Sequence, residues 1–215
     1  MKQPLSDQDR SHLDIRVAET EKRTRTQIVL SVIQRSDAYA ELPWKAFALG
    51  ASLAGLILLM MYRRFHDWYP DEPALIIVVC ILTCGALFAL LTVLIPRSAK
   101  CFLSGYRAEA EVRQYAKSLF LDRELFATRK RRGILLLVSL FERRVVILPD
   151  KGARERLTEE DTRKIIAEMT PYLKCKQVRQ AFDAGLDCLS SILKISTPQA
   201  GNDELSNEII EEEGI

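Results

Sequence analysis

The sequence predicts an α/β fold: a small layered sandwich, with a mixed sheet flanked by helices, interrupted by a transmembrane helical hairpin. Three observations predict it. Two long apolar runs without internal charge lie near positions 46–62 and 74–96. Three short runs rich in β-branched and leucine side chains, QIVLSVIQ, GILLLVSL and RVVILPD, read as strands. Stretches with apolar residues at helical spacing precede, separate and follow those strands.

Taken in order, residues 1–25 read as a helix. Ser6 with Asp9 three positions later makes a capping box, with Asp in the usual place of Glu, and Leu13 and Val17 supply its apolar stripe. The strand Gln27–Gln34 follows, and Asp37 and Tyr39 lead through Pro43 toward the first apolar run. Beyond position 100, Ala108, Val112, Tyr115, Ala116 and Leu119 share one helical face. Gly133–Leu140 and Arg144–Asp150, separated by a tight turn, form two adjacent antiparallel strands. Thr158 with Asp161 caps a further helix, which Pro171 is expected to end or kink. Val178, Phe182, Leu186, Leu189 and Leu193 mark the last helix. A strand, crossover helix and second strand imply one parallel pair, to which the third strand adds an antiparallel member.

The apolar runs set the architecture. At about 1.5 Å per helical residue they reach roughly 25 and 34 Å, bracketing the ~30 Å hydrocarbon core of a bilayer. Buried helices of a soluble core usually keep a charged face, and these have none. The polar link between the runs carries Arg63 and Arg64. The other side carries Arg35, Lys45, Arg97, Lys100 and Arg107. That asymmetry predicts an integral protein of an inner or cytoplasmic membrane, with both soluble segments cytoplasmic. Trp44, Tyr62, Trp68 and Tyr69 fall where amphipathic rings favour the interface. The expected division is thus 1–42 as the first part of the α/β domain, 43–100 as the hairpin, 101–197 as its second part, and 198–215 as a disordered acidic tail.

The net charge of +2 conceals a polarity. Asp203, Glu204, Glu208, Glu211, Glu212 and Glu213 give the tail about −6, leaving about +8 on the rest, which suits a face near anionic lipid headgroups. The five cysteines form neither a disulfide framework nor a zinc pattern. There is no phosphate-binding glycine loop and no His-Glu-x-x-His. The two histidines, His12 and His66, stand in the first helix and in the link between the spans, so they cannot share a site.

The chemistry that remains sits at strand ends. If Gln27–Gln34 and Gly133–Leu140 are parallel, their carboxyl ends gather Asp37, Ser139, Glu142 and Arg143, at the edge where open α/β sheets bind ligands. Asp37 and Glu142 are candidate ligands for a hard divalent cation such as Ca²⁺ or Mg²⁺, and Arg143 is a candidate phosphate clamp. A solvated turn with surface ion pairs is the plainer reading of the same residues. Asp150 belongs at the opposite edge, near Thr128 and the basic run Arg129-Lys130-Arg131-Arg132, where an Asx turn before Lys151-Gly152 would also account for it. The basic run fits a solvated loop, a contact with anionic lipid, or a substrate contact. Without interleaved aromatics it argues against nucleic acid.

Three stretches resemble the TPM-domain family, in its membrane-embedded branch: AETEKRTRTQIVLSVIQRSDAY, TRKRRGILLLVSLFERRVVILPDKG, and the closing helices TEEDTRKIIAEMTPYLK and VRQAFDAGLDCLSSIL. Many TPM domains carry Gly-Tyr-Gly after the second strand of the central stretch; here that place reads LPDKG. The resemblance implies an α/β sandwich. It further implies assembly or quality control of membrane complexes; with the missing catalytic constellation and the anchoring hairpin, the reading that follows is a module that binds or regulates a membrane assembly, with a membrane-protein partner. An alternative it implies is a weak metal-assisted acid phosphatase, for which Asp37, Glu142 and Asp150 are the catalytic candidates. A second alternative is an anionic-lipid surface binder acting through residues 129–132.

Overall fold

A computed structural model describes residues 5–65, 74–128, 130–193 and 210–212. The chain divides into two compact units, Met1–Asp37 with Glu109–Ile215, and Ala38–Ala108. The first is the α/β unit that the sequence leads one to expect.

Its sheet has the order β3-β2-β1-β4. β1 (Gln27–Ile33) and β2 (Gly133–Ser139) run parallel, with Gln27 opposite Gly133 and Ile33 opposite Ser139. β3 (Arg144–Pro149) returns antiparallel beside β2. β1 and β2 are buried almost throughout, as strands covered on both faces must be. Period-two alternation sorts their side chains. Ile28, Leu30, Val32, Ile134, Leu136 and Val138 face a core shared with three helices, α1 (Asp7–Thr24), α7 (Glu159–Lys174) and α8 (Val178–Ile192). Val29, Ile33, Leu135 and Leu137 face the other core, closed by Val112, Ala116 and Leu119 of α5 (Gly105–Asp122) and by Leu125 of a 3₁₀ turn.

Local chemistry explains where the helices begin. Ser6 and Asp9 form the reciprocal capping box of α1, and Thr158 and Asp161 that of α7. The five stripe residues of the last helix are all buried. Pro171 does not end α7, which runs one turn further to Lys174. Pro171 lacks the N–H that would reach Ala167 O, and the helix ends three residues later. Ion pairs seal α1 to α8: Arg16 pairs with Asp187 and, at 3.5 Å, with Asp183, while Arg179 meets Asp9 at 3.1 Å.

One difference concerns the tail. Within the stretch expected to be disordered, β4 (Ile210–Glu212) lies parallel to β1, with Ser31 opposite Ile210. The other residues of 198–215 lie outside the described residues.

The second unit contains α2 (Glu41–Phe65) and α3 (Ala74–Leu94), followed by the short α4 (Pro96–Phe102). α2 begins five residues before the apolar run, because Pro43 falls in the first turn, where its missing donor goes unused. α2 and α3 are each long and apolar enough to cross a membrane. Leu75 is 73% exposed and Leu94 68%, so the pair shows its large apolar side chains outward instead of burying them. The two helices pack through a reciprocal fit of glycine and phenylalanine. A Cβ on Gly50 would stand 2.8 Å from the Phe88 ring, and one on Gly85 would stand 2.8 Å from the Phe47 ring. The expected interfacial residues Trp68 and Tyr69, with His66, lie outside the described residues.

Candidate functional site

The carboxyl edge of the parallel pair is built by stitching two turns together. β1 and β2 continue their pairing past the strand ends, Leu140 N–H donating to Ile33 O at 3.0 Å and Phe141 N–H to Gln34 O at 2.9 Å. This holds the segment after β1 against the β2–β3 turn. Glu142 sits in that turn, and Arg143 completes it in the left-handed region at φ 55°.

The buried Glu142 carboxylate is the hub. One oxygen accepts from Ser36 N–H at 3.0 Å and from the Ser36 hydroxyl at 2.7 Å. The other accepts from the hydroxyl of Ser139. Both serines are buried, Ser139 at 1% exposure, so no solute reaches their hydroxyls without opening the turn. A carboxylate out of water needs such donors, and three of them satisfy it internally. The guanidinium of Arg35 lies 4.8 Å over the Phe141 ring, a second tie between the same turns.

The candidates of this edge are therefore only partly alike in placement. Ser139 and Glu142 are in direct contact. Asp37 is half-buried and follows Ser36, the residue that Glu142 grips. Arg143 is exposed. Ser36 was missed by the sequence reading, although a Ser-Asp pair directly after a buried strand is a turn signal of the kind that such a carboxylate uses.

Asp150 stands at the other end of the sheet. β3 pairs Pro149 with Ile134 at the start of β2, and Asp150 N–H donates to Gly133 O at 2.8 Å. Seven residues of strand at ~3.3 Å each put Asp150 roughly 20 Å from Glu142. The three carboxylates proposed for one reaction thus divide between two edges. Asp150 caps α6 (Lys151–Arg154), accepting from Lys151 N–H at 2.7 Å. It also accepts from Arg131, through Nη2 at 3.0 Å, and pairs with its Nε at 2.8 Å.

The basic run is accordingly tied into the fold in part. Arg131 holds Asp150 and lies 5.7 Å over the Phe126 ring. Arg132 donates its N–H to Thr128 Oγ1 at 3.0 Å and accepts from Gln27 N–H at 3.2 Å. Lys130 is exposed, and Arg129 lies outside the described residues. Gly152 explains the glycine of the LPDKG turn: a Cβ there would stand 2.2 Å from Lys130 O. The chain must pass that close for Gly152 N–H to donate to Arg131 O at 2.7 Å.

An open groove of about 700 Å³ runs along α7 and α8, lined among others by Lys164, Glu168, Tyr172, Asp183 and Cys188. Burial pushes the Cys188 thiol up from its ordinary value. Among the described residues, no group of three or more His, Cys, Asp or Glu side chains is placed to hold a metal ion. At the carboxyl edge, a divalent cation would have to displace the serine donors to take both oxygens of Glu142.

Comparison with known proteins agrees with this architecture. The TPM-domain family model matches residues 92–192, from the end of α3 to the end of α8. The solved NMR structure of the BA42 protein from the psychrophilic bacterium Bizionia argentinensis is similar in fold, with a TM-score of 0.56 at 12% identity, over 98% of this chain and 97% of that one. No curated protein matches the chain.

Proposed function

We propose that the protein is a membrane-anchored TPM-type domain that binds or regulates a membrane assembly, with a membrane protein as its partner. The observation that carries this reading is the state of Glu142. The acid best placed for catalysis at the sheet's carboxyl edge is spent on holding two turns together, through Ser36 and Ser139. Such a lock gives a rigid surface on which exposed Arg143 is displayed; it offers no acid–base pair to a substrate. The apolar helices α2 and α3 supply the anchor, and the basic residues at their outer ends favour a cytoplasmic domain.

The test uses the full-length chain in native membranes, with a photo-crosslinking residue at position 143. A discrete membrane-protein adduct, lost when Glu142→Ala loosens the edge, is the expected result. The opposing measurement is hydrolysis of a phosphomonoester by the purified protein with Mg²⁺ or Ca²⁺. Turnover abolished by Asp37→Asn in a protein that stays folded would replace the binding reading with the phosphatase reading.

A further inference from the structure

The sheet order leaves β3 as the last strand on its side. Its pairing with β2 runs unbroken from Arg144 opposite Ser139 to Pro149 opposite Ile134, with no bulge to twist the edge away. Asp150 N–H donates to Gly133 O, which fixes the phase of the ladder. In an antiparallel pair, residues that exchange hydrogen bonds alternate with residues that do not. Arg144, Val146 and Leu148 therefore turn their backbone groups to β2, while Val145, Ile147 and Pro149 turn theirs outward. Proline at an outward position takes no bond from β2, which is where an edge strand tolerates it. Among the described residues, nothing hydrogen-bonds the outward groups of Val145 and Ile147.

An edge of this kind is a template for a further strand, and proteins guard it with charge, proline or a covering element. Here the guards stand only at the ends, the exposed Arg143 and Arg144 at one and Pro149 at the other. Between them runs Val-Val-Ile-Leu, with Val145, Val146 and Leu148 half-buried.

This pattern is complementary to itself. When two copies meet antiparallel, one register sets Val145 opposite Ile147 of the second copy, and Ile147 opposite its Val145. Each such pair exchanges both N–H···O bonds, and Val146 meets its own counterpart on the two-fold axis. A slip of two residues one way sets Val145 opposite the second copy's Pro149, which has no donor. The opposite slip sets Ile147 against the second copy's Arg143, which has left the strand conformation at φ 55°. Charge selects the same arrangement. Parallel pairing would press Arg143 and Arg144 against their counterparts, whereas antiparallel pairing about Val146 holds the two Arg144 residues about 14 Å apart.

We infer that β3 is a self-pairing edge, through which two copies of this chain join their sheets antiparallel about Val146. Backbone pairing supplies the grip, and the proline and arginine ends set its register. The pairing stands whether or not the protein also binds a membrane partner.

Disulfide trapping in native membranes tests it on the full-length chain, with the five native cysteines replaced. Opposed residues that exchange no hydrogen bond have Cα atoms about 4.5 Å apart, within the reach of a disulfide. Val146→Cys should crosslink about tenfold faster than Arg144→Cys or Leu148→Cys, whose counterparts stand about 14 Å away. A chain carrying both Arg144→Cys and Leu148→Cys sets each cysteine opposite the other kind, and should crosslink as fast as Val146→Cys. Equal rates for the three single variants overturn the inference, by showing collision without register. Absence of the Val146→Cys disulfide overturns it too, and leaves the edge to a strand of another protein. A double variant no faster than its parents also overturns it, because the antiparallel register requires that pair.

Discussion

Glu142 illustrates how much of this site depends on a side chain that is nearly invisible in solvent. Glu142→Ala strands the hydroxyls of two buried serines and the Ser36 N–H, and should lower stability by about 2–4 kcal/mol in chemical denaturation. Glu142→Gln keeps an acceptor for part of the network and should cost less than half as much. A pH effect of known sign comes from the two capping boxes. Hydrogen bonds from the Ser6 hydroxyl and backbone hold the Asp9 carboxyl below the usual carboxylate range, with Arg179 adding to the effect. Those from Thr158 do the same for Asp161. A carboxyl depressed in the folded state contributes stability that is complete above its unfolded pKa of about 3.9 and is lost as pH falls through the folded value. Thermal melts from pH 6 to pH 2.5 should therefore fall less steeply below pH 4 in Asp161→Asn than in the parent. Equal slopes would remove Asp161 from the account.

At the scale of elements, the hairpin of α2 and α3 is specified by complementary shapes. In a bilayer no hydrophobic gain comes from helix pairing, so close packing of small residues decides it. Gly85→Ala places a methyl group 2.8 Å from the Phe47 ring and 3.1 Å from its carbonyl oxygen. It should destabilise the pair by about 1–3 kcal/mol in SDS titration of the protein in mixed micelles. Phe47→Ala, combined with it, should recover part of that loss, since the ring is the obstacle; additive losses would show that the backbone of α2 is what resists. The small residues of these spans were legible as packing faces. Which phenylalanine fills which glycine was not, because that depends on the relative rotation of two helices.

For the whole molecule, the charge asymmetry of the chain leads to a topological prediction. Single cysteines introduced at Ser6 and at Arg63, on a background without the native five, should label from opposite sides of a sealed vesicle. Labelling from the same side would exclude the hairpin arrangement. If Ser6 proved to be outside the cell membrane, the inferred orientation would be reversed.

Much of the fold was written locally. The capping boxes, the stripe of the last helix, the individual strands and the two apolar helices all follow from residues within a turn or two of one another, where propensity and periodicity act. The sequence also sets the two apolar runs apart from the rest of the chain, because no charge lies inside either. Tertiary structure alone decided the rest. Ser36 and Glu142 are 106 positions apart, and only the parallel register brings them together. The separation of Asp150 from Glu142, by contrast, was already legible, since an antiparallel strand lies between them. The acidic tail reads as too polar to fold by itself, and its three-residue strand exists only because β1 offers it an edge. Long-range pairing is invisible to local pattern, since the free energy that fixes it comes from groups that the pattern never places side by side.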